Sequence, residues 1–141
     1  MKSNAPIILA LDFPDIQSTR EMIEKTSHVI SIYKLGLEFY LAQGKNGISQ
    51  IKRSFPDIDI FLDLKLHDIP NTVGHAALMA ASLNPYFLTV HASGGSSMIS
   101  AAVEAAPNTR ITAVTILTSM SEEDVKAVGY KDNALNSATN L

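Results

Sequence analysis

Phe61-Leu62-Asp63-Leu64-Lys65-Leu66-His67-Asp68-Ile69-Pro70-Asn71-Thr72 carries charge where an apolar strand should continue. Its first part belongs to the run Ile58–Leu64, which is short, apolar and preceded by the turn signal Pro56-Asp57, and so reads as a strand. Residues two apart on a strand share a face, which puts Asp63 and Lys65 together and sends Leu62, Leu64 and Leu66 to the other side. Two opposite charges at the end of a buried strand are costly unless they are paired. Asp68 adds a third charge in the turn before the next helix. A bare D-x-K-x-x-D is more often a solvated strand end with a chance ion pair. The rest of the chain argues for more.

Working outward, apolar and β-branched runs recur at Ile7–Leu11, Val29–Leu35, Tyr86–Val90 and Ile111–Leu117. Between them lie stretches with helical spacing. Asp15–Ser27 places Ile16, Thr19 and Ile23 on one face, and Gly47–Ser54 carries Ile48 and Ile51. Thr72–Leu83 is alanine-rich, and Ser97–Ala106 sets Met98, Ala101, Ala102 and Ala105 at i, i+3, i+4 and i+7. Strand and helix alternating without hairpin signals predicts βαβ units and a parallel sheet. Right-handed crossovers then set successive strands side by side.

The predicted strand ends gather the chemistry: Asp12 on the first, Lys34 on the second, Asp63 and Lys65 on the third, His91 on the fourth, Thr118 on the fifth. Sites of α/β folds lie at the carboxyl ends of their strands. A single polar strand end is ordinary; five in succession are hard to explain by stability alone.

Composition narrows the function classes. The 141 residues suffice for one domain with a sizeable core, and a net charge of −3 gives no footprint for nucleic acid. The absence of cysteine excludes a disulfide framework, a zinc–thiolate site and a cysteine nucleophile. Near the N-terminus there is one lysine and an apolar run ended by Asp12, too short for a signal-peptide core, and nothing approaches a membrane span. A cytoplasmic location is the expectation. Gly94-Gly95 reads as turn geometry, Met79 and Met98 as core filler, and Lys52-Arg53 as a solvated helix face.

Five segments together resemble orotidine 5′-phosphate decarboxylases, the bacterial branch most closely. They are Ile8-Leu9-Ala10-Leu11-Asp12-Phe13, Tyr33-Lys34-Leu35-Gly36, the Phe61–Thr72 run with Val73, His91-Ala92-Ser93-Gly94-Gly95, and Ala113-Val114-Thr115-Ile116-Leu117-Thr118-Ser119. The third is highly specific; the others gain force from their order and spacing. The resemblance implies a (β/α)8 TIM barrel, of which residues 1–141 form a single partial domain covering about the first five βα units. After Thr118, Ala134, Leu135, Ala138 and Leu141 open a further amphipathic helix with no stop signal. The expectation is that the family's phosphate-binding half lies beyond Leu141.

The same resemblance implies the reaction and its residues. Orotidine 5′-monophosphate (OMP) would lose CO2 to give UMP, with no cofactor and no metal. Lys65 would be the ammonium facing C6 that delivers the proton. Asp63 and Asp68 would supply opposing charge, and Lys34 would join Asp63 and Lys65 in an alternating array. Asp12 and Lys34 would bind ribose hydroxyls and Thr118 would contact the base. Asp68, Ile69 and Thr72 would reach the neighbouring subunit's site, making the protein a two-fold homodimer. His67 is expected to be structural.

Two other readings compete. The Mg²⁺-dependent sugar-phosphate enzymes of the same suprafamily, 3-keto-L-gulonate-6-phosphate decarboxylases and hexulose-6-phosphate synthases, share D-x-K-x-x-D. They carry a glutamate where this chain has Lys34, whose ammonium would repel a divalent cation. The other is an inert partial barrel lacking the phosphate grip.

Overall fold

The computed structural model describes residues 7–141; the N-terminal flank with Lys2 lies outside them. Five strands form one parallel sheet in sequence order: β1 (Ile8–Leu11), β2 (Ile32–Gly36), β3 (Asp59–Leu66), β4 (Phe87–His91) and β5 (Arg110–Val114). Helices α1 (Ile16–Thr26), α2 (Leu37–Ser54), α3 (Pro70–Ala81) and α4 (Gly95–Ala105) fill the crossovers between them. Two short helices, α5 (Glu122–Ala127) and α6 (Ala134–Asn140), follow β5.

The strand order separates this sheet from a doubly wound one, which reverses at a switch point and carries helices on both faces. Right-handed crossovers that always advance in one direction put every helix on the same face. That progression is the one that builds a (β/α)8 barrel, and the chain supplies five βα units of it.

Burial follows from the alternation. On β2, Tyr33 and Leu35 are buried beneath the helices, whereas Ile32, Lys34 and Gly36 on the opposite face are partly open. On β3, Ile60 and Leu62 join the core and Phe61 and Asp63 face the other way. The core lies between sheet and helices, where Leu11, Leu35, Leu62 and Leu88 meet Ile23, Phe39, Ile51 and Met98. Each such side chain contributes roughly 1.5–3 kcal/mol by leaving water. The alanine-rich α3 and α4 pack closely: a Cβ added to Gly74 would meet the Ala101 carbonyl oxygen at 3.5 Å.

Several predicted boundaries move. β2 begins at Ile32, not Val29, because the amides of Val29 and Ile30 close the end of α1 on the Thr26 carbonyl. α2 starts at Leu37, ten residues before the predicted Gly47. Gly44, at φ +60° and ψ −164°, kinks it and interrupts the helical spacing. α3 starts at Pro70, whose missing N–H is tolerated in the first turn. β5 stops at Val114, so Thr118 lies in the turn beyond it rather than at a strand end. Lys52 is not merely solvated, since its ammonium donates to the Ile58 carbonyl. Of the Gly94-Gly95 pair, Gly95 serves the turn, at φ +81°, whereas a side chain on Gly94 would need the end of Met98 to shift.

Candidate active site

Three neighbouring strands bring four charged side chains to one end of the sheet. Parallel pairing sets Lys34 beside Phe61 and Gly36 beside Asp63. The Lys34 side chain passes over Gly36, its Nζ 3.8 Å from where a Cβ would stand, and reaches Asp63 on the next strand. Lys34 Nζ lies 3.3 Å from Asp12 Oδ1 and 3.5 Å from Asp63 Oδ2. Lys65 Nζ donates to both Asp63 oxygens at 2.8 Å. The result is an alternating array, Asp12–Lys34–Asp63–Lys65, on the rim that sequence predicted. It grows more sheltered inward: Asp12 is 70% exposed and Asp63 only 12%.

The pairing of Asp63 with Lys65 is not the regular two-residue alternation expected of a strand. The β3–β4 register shifts between Leu62 and Leu66, and Lys65 has φ +47°, a left-handed conformation that costs a non-glycine residue energy. A hydroxyl from β4 meets this irregularity. The Lys65 amide donates to Thr89 Oγ1 at 2.8 Å, and Thr89 Oγ1 donates to Asp63 Oδ1 at 2.9 Å. Thr89 is 2% exposed.

Burial opposes ionisation of Asp63. Hydrogen bonds from Lys65 and Thr89, with the charges of Lys65 and Lys34, outweigh it and hold the carboxyl below its ordinary value. Asp63 is thus an anion at neutral pH. His91, at the end of β4, lies with its ring centroid 5.3 Å from that of His67. Burial first, then the charges of His67 and Lys65, push His91 below the usual histidine value. Among the described residues, no three histidine, aspartate or glutamate side chains come together in a set fit to hold a metal ion. A cleft of about 210 Å³ opens over the array, lined by Asp12, Lys34, Asp63 and Lys65 with Leu37 and Leu64.

Other predicted site residues stand apart. Asp68 is exposed, and its Oδ1 accepts the Ile69 amide at 2.7 Å; it makes no ion pair with Lys65. Ile69 caps α3 at 65% exposure, and Thr72 is exposed on its first turn. Thr118 is exposed in the loop after β5. Thr89 escaped the sequence reading because it sits within the apolar run Tyr86–Val90. The period-2 signal was there: Phe87, Thr89 and His91 alternate with the buried Leu88 and Val90.

The chain spans little more than half the length of the curated relatives it matches. It is 47% identical over 137 residues to the orotidine 5′-phosphate decarboxylase of Thermobifida fusca, an alignment covering 97% of this chain and 58% of that protein. It is 47% identical over 124 residues to the enzyme of that name from Fusobacterium nucleatum, covering 85% of this chain and 52% of that one. Among solved structures, an orotidine 5′-phosphate decarboxylase from Lactobacillus acidophilus superposes with a TM-score of 0.86 at 31% identity, over 96% of this chain and 64% of that one. An uncharacterized conserved protein from Geobacillus kaustophilus gives 0.87 at 32% identity, over 96% and 66%. The family model for orotidine 5′-phosphate decarboxylase / HUMPS matches residues 5–140, all five βα units and the charged rim included. With sheet order, rim and sequence in agreement, the chain belongs to the orotidine 5′-phosphate decarboxylase / HUMPS family.

Proposed function

We propose that the protein decarboxylates orotidine 5′-monophosphate to UMP and CO2, without a cofactor, in de novo pyrimidine synthesis. The observation that carries this reading is the Asp12–Lys34–Asp63–Lys65 array, with Lys65 Nζ 2.8 Å from both Asp63 oxygens. Breaking the bond from C6 to the carboxyl carbon leaves an electron pair on C6, with no adjacent carbonyl to receive it. Many enzymes meet such a carbanion with a cofactor that acts as an electron sink. Here a preorganised ammonium takes that role, acting where the charge develops. Lys65 stabilises the developing carbanion and gives its proton to C6, making the C6–H bond of UMP. It then recovers a proton from solvent, so each turnover consumes one proton and releases one CO2.

Asp63 balances the Lys65 charge and lies beside the departing carboxylate. Repulsion there raises the ground state, but we rank stabilisation by Lys65 above it. Asp12 and Lys34 bind ribose hydroxyls and Thr118 contacts the base. Asp68, Ile69 and Thr72 form an exposed run just past the array, suited to entering the site of a neighbouring subunit in a two-fold dimer. Residues 1–141 then act as part of a single barrel domain. A cytoplasmic location accompanies this reading, and no helix among the described residues is long and apolar enough to cross a membrane.

Lys34 favours this reaction over the Mg²⁺-dependent one. Its ammonium, 3.5 Å from Asp63, occupies the side of the carboxylate a divalent cation would need. The test uses the full-length protein and follows loss of OMP absorbance. Lys65→Ala should lower kcat by at least about 1,000-fold with the fold intact by circular dichroism. A variant with near-normal kcat would remove Lys65 as proton donor. Loss of activity with EDTA, restored by Mg²⁺, would transfer the assignment to the sugar-phosphate enzymes. No turnover by the wild-type protein would favour the inert barrel.

A further inference from the structure

We infer that Thr89 is a positioning residue for the rim: its hydroxyl fixes the Lys65 backbone and the Asp63 carboxylate at once. For its kinetic consequences the inference rests on the decarboxylase reading; the hydrogen-bond geometry stands without it.

A hydroxyl has a single proton. The Lys65 amide can only donate, so Thr89 Oγ1 must accept from it at 2.8 Å, and its own proton is left for Asp63 Oδ1 at 2.9 Å. The direction of both bonds is therefore set. The relay matches an ionised Asp63, and an ionised Asp63 is also what takes both 2.8 Å contacts from Lys65 Nζ. The side chain is suited to the task. Its Cβ branch restricts χ1, and at 2% exposure it is held by packing rather than free to turn to solvent.

The backbone shows what is being held. The register shift between Leu62 and Leu66 breaks the ladder where Lys65 sits, and Thr89 Oγ1 accepts its amide there. A left-handed lysine at φ +47° persists only where its surroundings impose it. Thr89 thus sets both the turn that folds the ammonium back and the carboxylate that receives it. The other charged and titratable groups near Asp63 are Lys34 from β2, with Asp12 behind it, Glu38 of α2, which lines the same cleft, and the His67–His91 pair next to Lys65.

The test compares Thr89→Val, of equal shape without the hydroxyl, with Thr89→Ser in the full-length protein. The Asp63 carboxyl is followed by ¹³C NMR titration, and OMP turnover by absorbance. Thr89→Val should raise the Asp63 titration midpoint by about one pH unit, the size expected for losing a hydrogen bond to a charged group. It should lower kcat about 100-fold, the cost of a reacting group displaced by about 1 Å, and change KM for OMP less than about threefold. The acid limb of kcat/KM should move upward with the NMR midpoint. Thr89→Ser should restore both readouts. If Thr89→Val does not fold, Thr89→Ala carries the same expectations. An unchanged Asp63 titration overturns the inference whatever the activity. So does a kcat within threefold of an active wild type, or a Thr89→Ser no better than Thr89→Val. A shifted titration in a protein that never decarboxylates OMP supports the clamp and refutes the proposed reaction instead.

Discussion

Lys34→Met should cost the wild-type protein more stability than it costs an Asp63→Asn variant. Lys34 Nζ and Lys65 Nζ both approach Asp63 Oδ2, at 3.5 Å and 2.8 Å. The two ammoniums are therefore at most about 6 Å apart, where their repulsion is roughly 0.7 kcal/mol at water's dielectric and roughly 3 kcal/mol at an effective value near 20. The Lys34–Asp63 attraction at 3.5 Å runs from roughly 1.2 to roughly 4.7 kcal/mol over the same range. Asp63 is 12% and Lys34 23% exposed, so solvent screens the pair in part. We take about 2 kcal/mol for the attraction and about 1 kcal/mol for the repulsion. Losing that attraction makes Lys34→Met about 2 kcal/mol more costly when Asp63 is present than when it is Asn. The Lys34–Lys65 repulsion and the Lys34–Asp12 pair at 3.3 Å are lost in both backgrounds and cancel in that difference. Urea unfolding of the wild type, both single variants and the double variant of the full-length protein measures the cycle. The coupling should shrink in 1 M salt, where the Debye length is about 3 Å. Equal effects of Lys34→Met in the two backgrounds, within about 0.5 kcal/mol, would falsify the view of these groups as one electrostatic unit.

Two other perturbations test the frame around the rim. Leu62 is fully buried beneath the helices, one residue before Asp63, and Leu62→Ala should cost about 3 kcal/mol in urea unfolding; a loss under about 1 kcal/mol would mean that this stretch is poorly packed. Asp63 has a folded-state value below the ordinary one, so its ionisation adds stability that is complete above the unfolded value of about 3.9. That contribution drains away as pH falls through the lowered folded value. The stability gap between wild type and Asp63→Asn should accordingly narrow on acidification below about pH 4, and a gap independent of pH would contradict the lowered value.

The sheet was legible because its signal is redundant. Five apolar runs separated by helical spacing admit few topologies, and small errors at Val29 or Leu117 do not change the order of strands. The rim was legible for a related reason: Asp12, Lys34, Asp63 and Lys65 are charges at places where apolar residues would stabilise more. What sequence did not reveal depends on details that pattern cannot carry. The two-residue rule put Lys65 beside Asp63, and they do meet, but through a register shift and a left-handed backbone. Thr89 looked like any β-branched strand residue, since its two bonds depend on which strand lies beside it. The first half of α2 was hidden by Gly44 and Gly47, which dilute the apolar spacing. Gly47 nonetheless has a packing reason, because a side chain there would run into Gln43.

The charged array spans only β1 to β3, between Asp12 and Lys65, with one hydroxyl from β4 behind it. Its shape is set by adjacent strands, β1 to β3 in register and the β3–β4 register shift at Lys65, each member held by the next. In engineering terms it is a portable cassette. A chimeric barrel that took these four strands whole would inherit the spacing of its charges. Borrowing the charged residues without β4 would transfer the charges and lose the alignment.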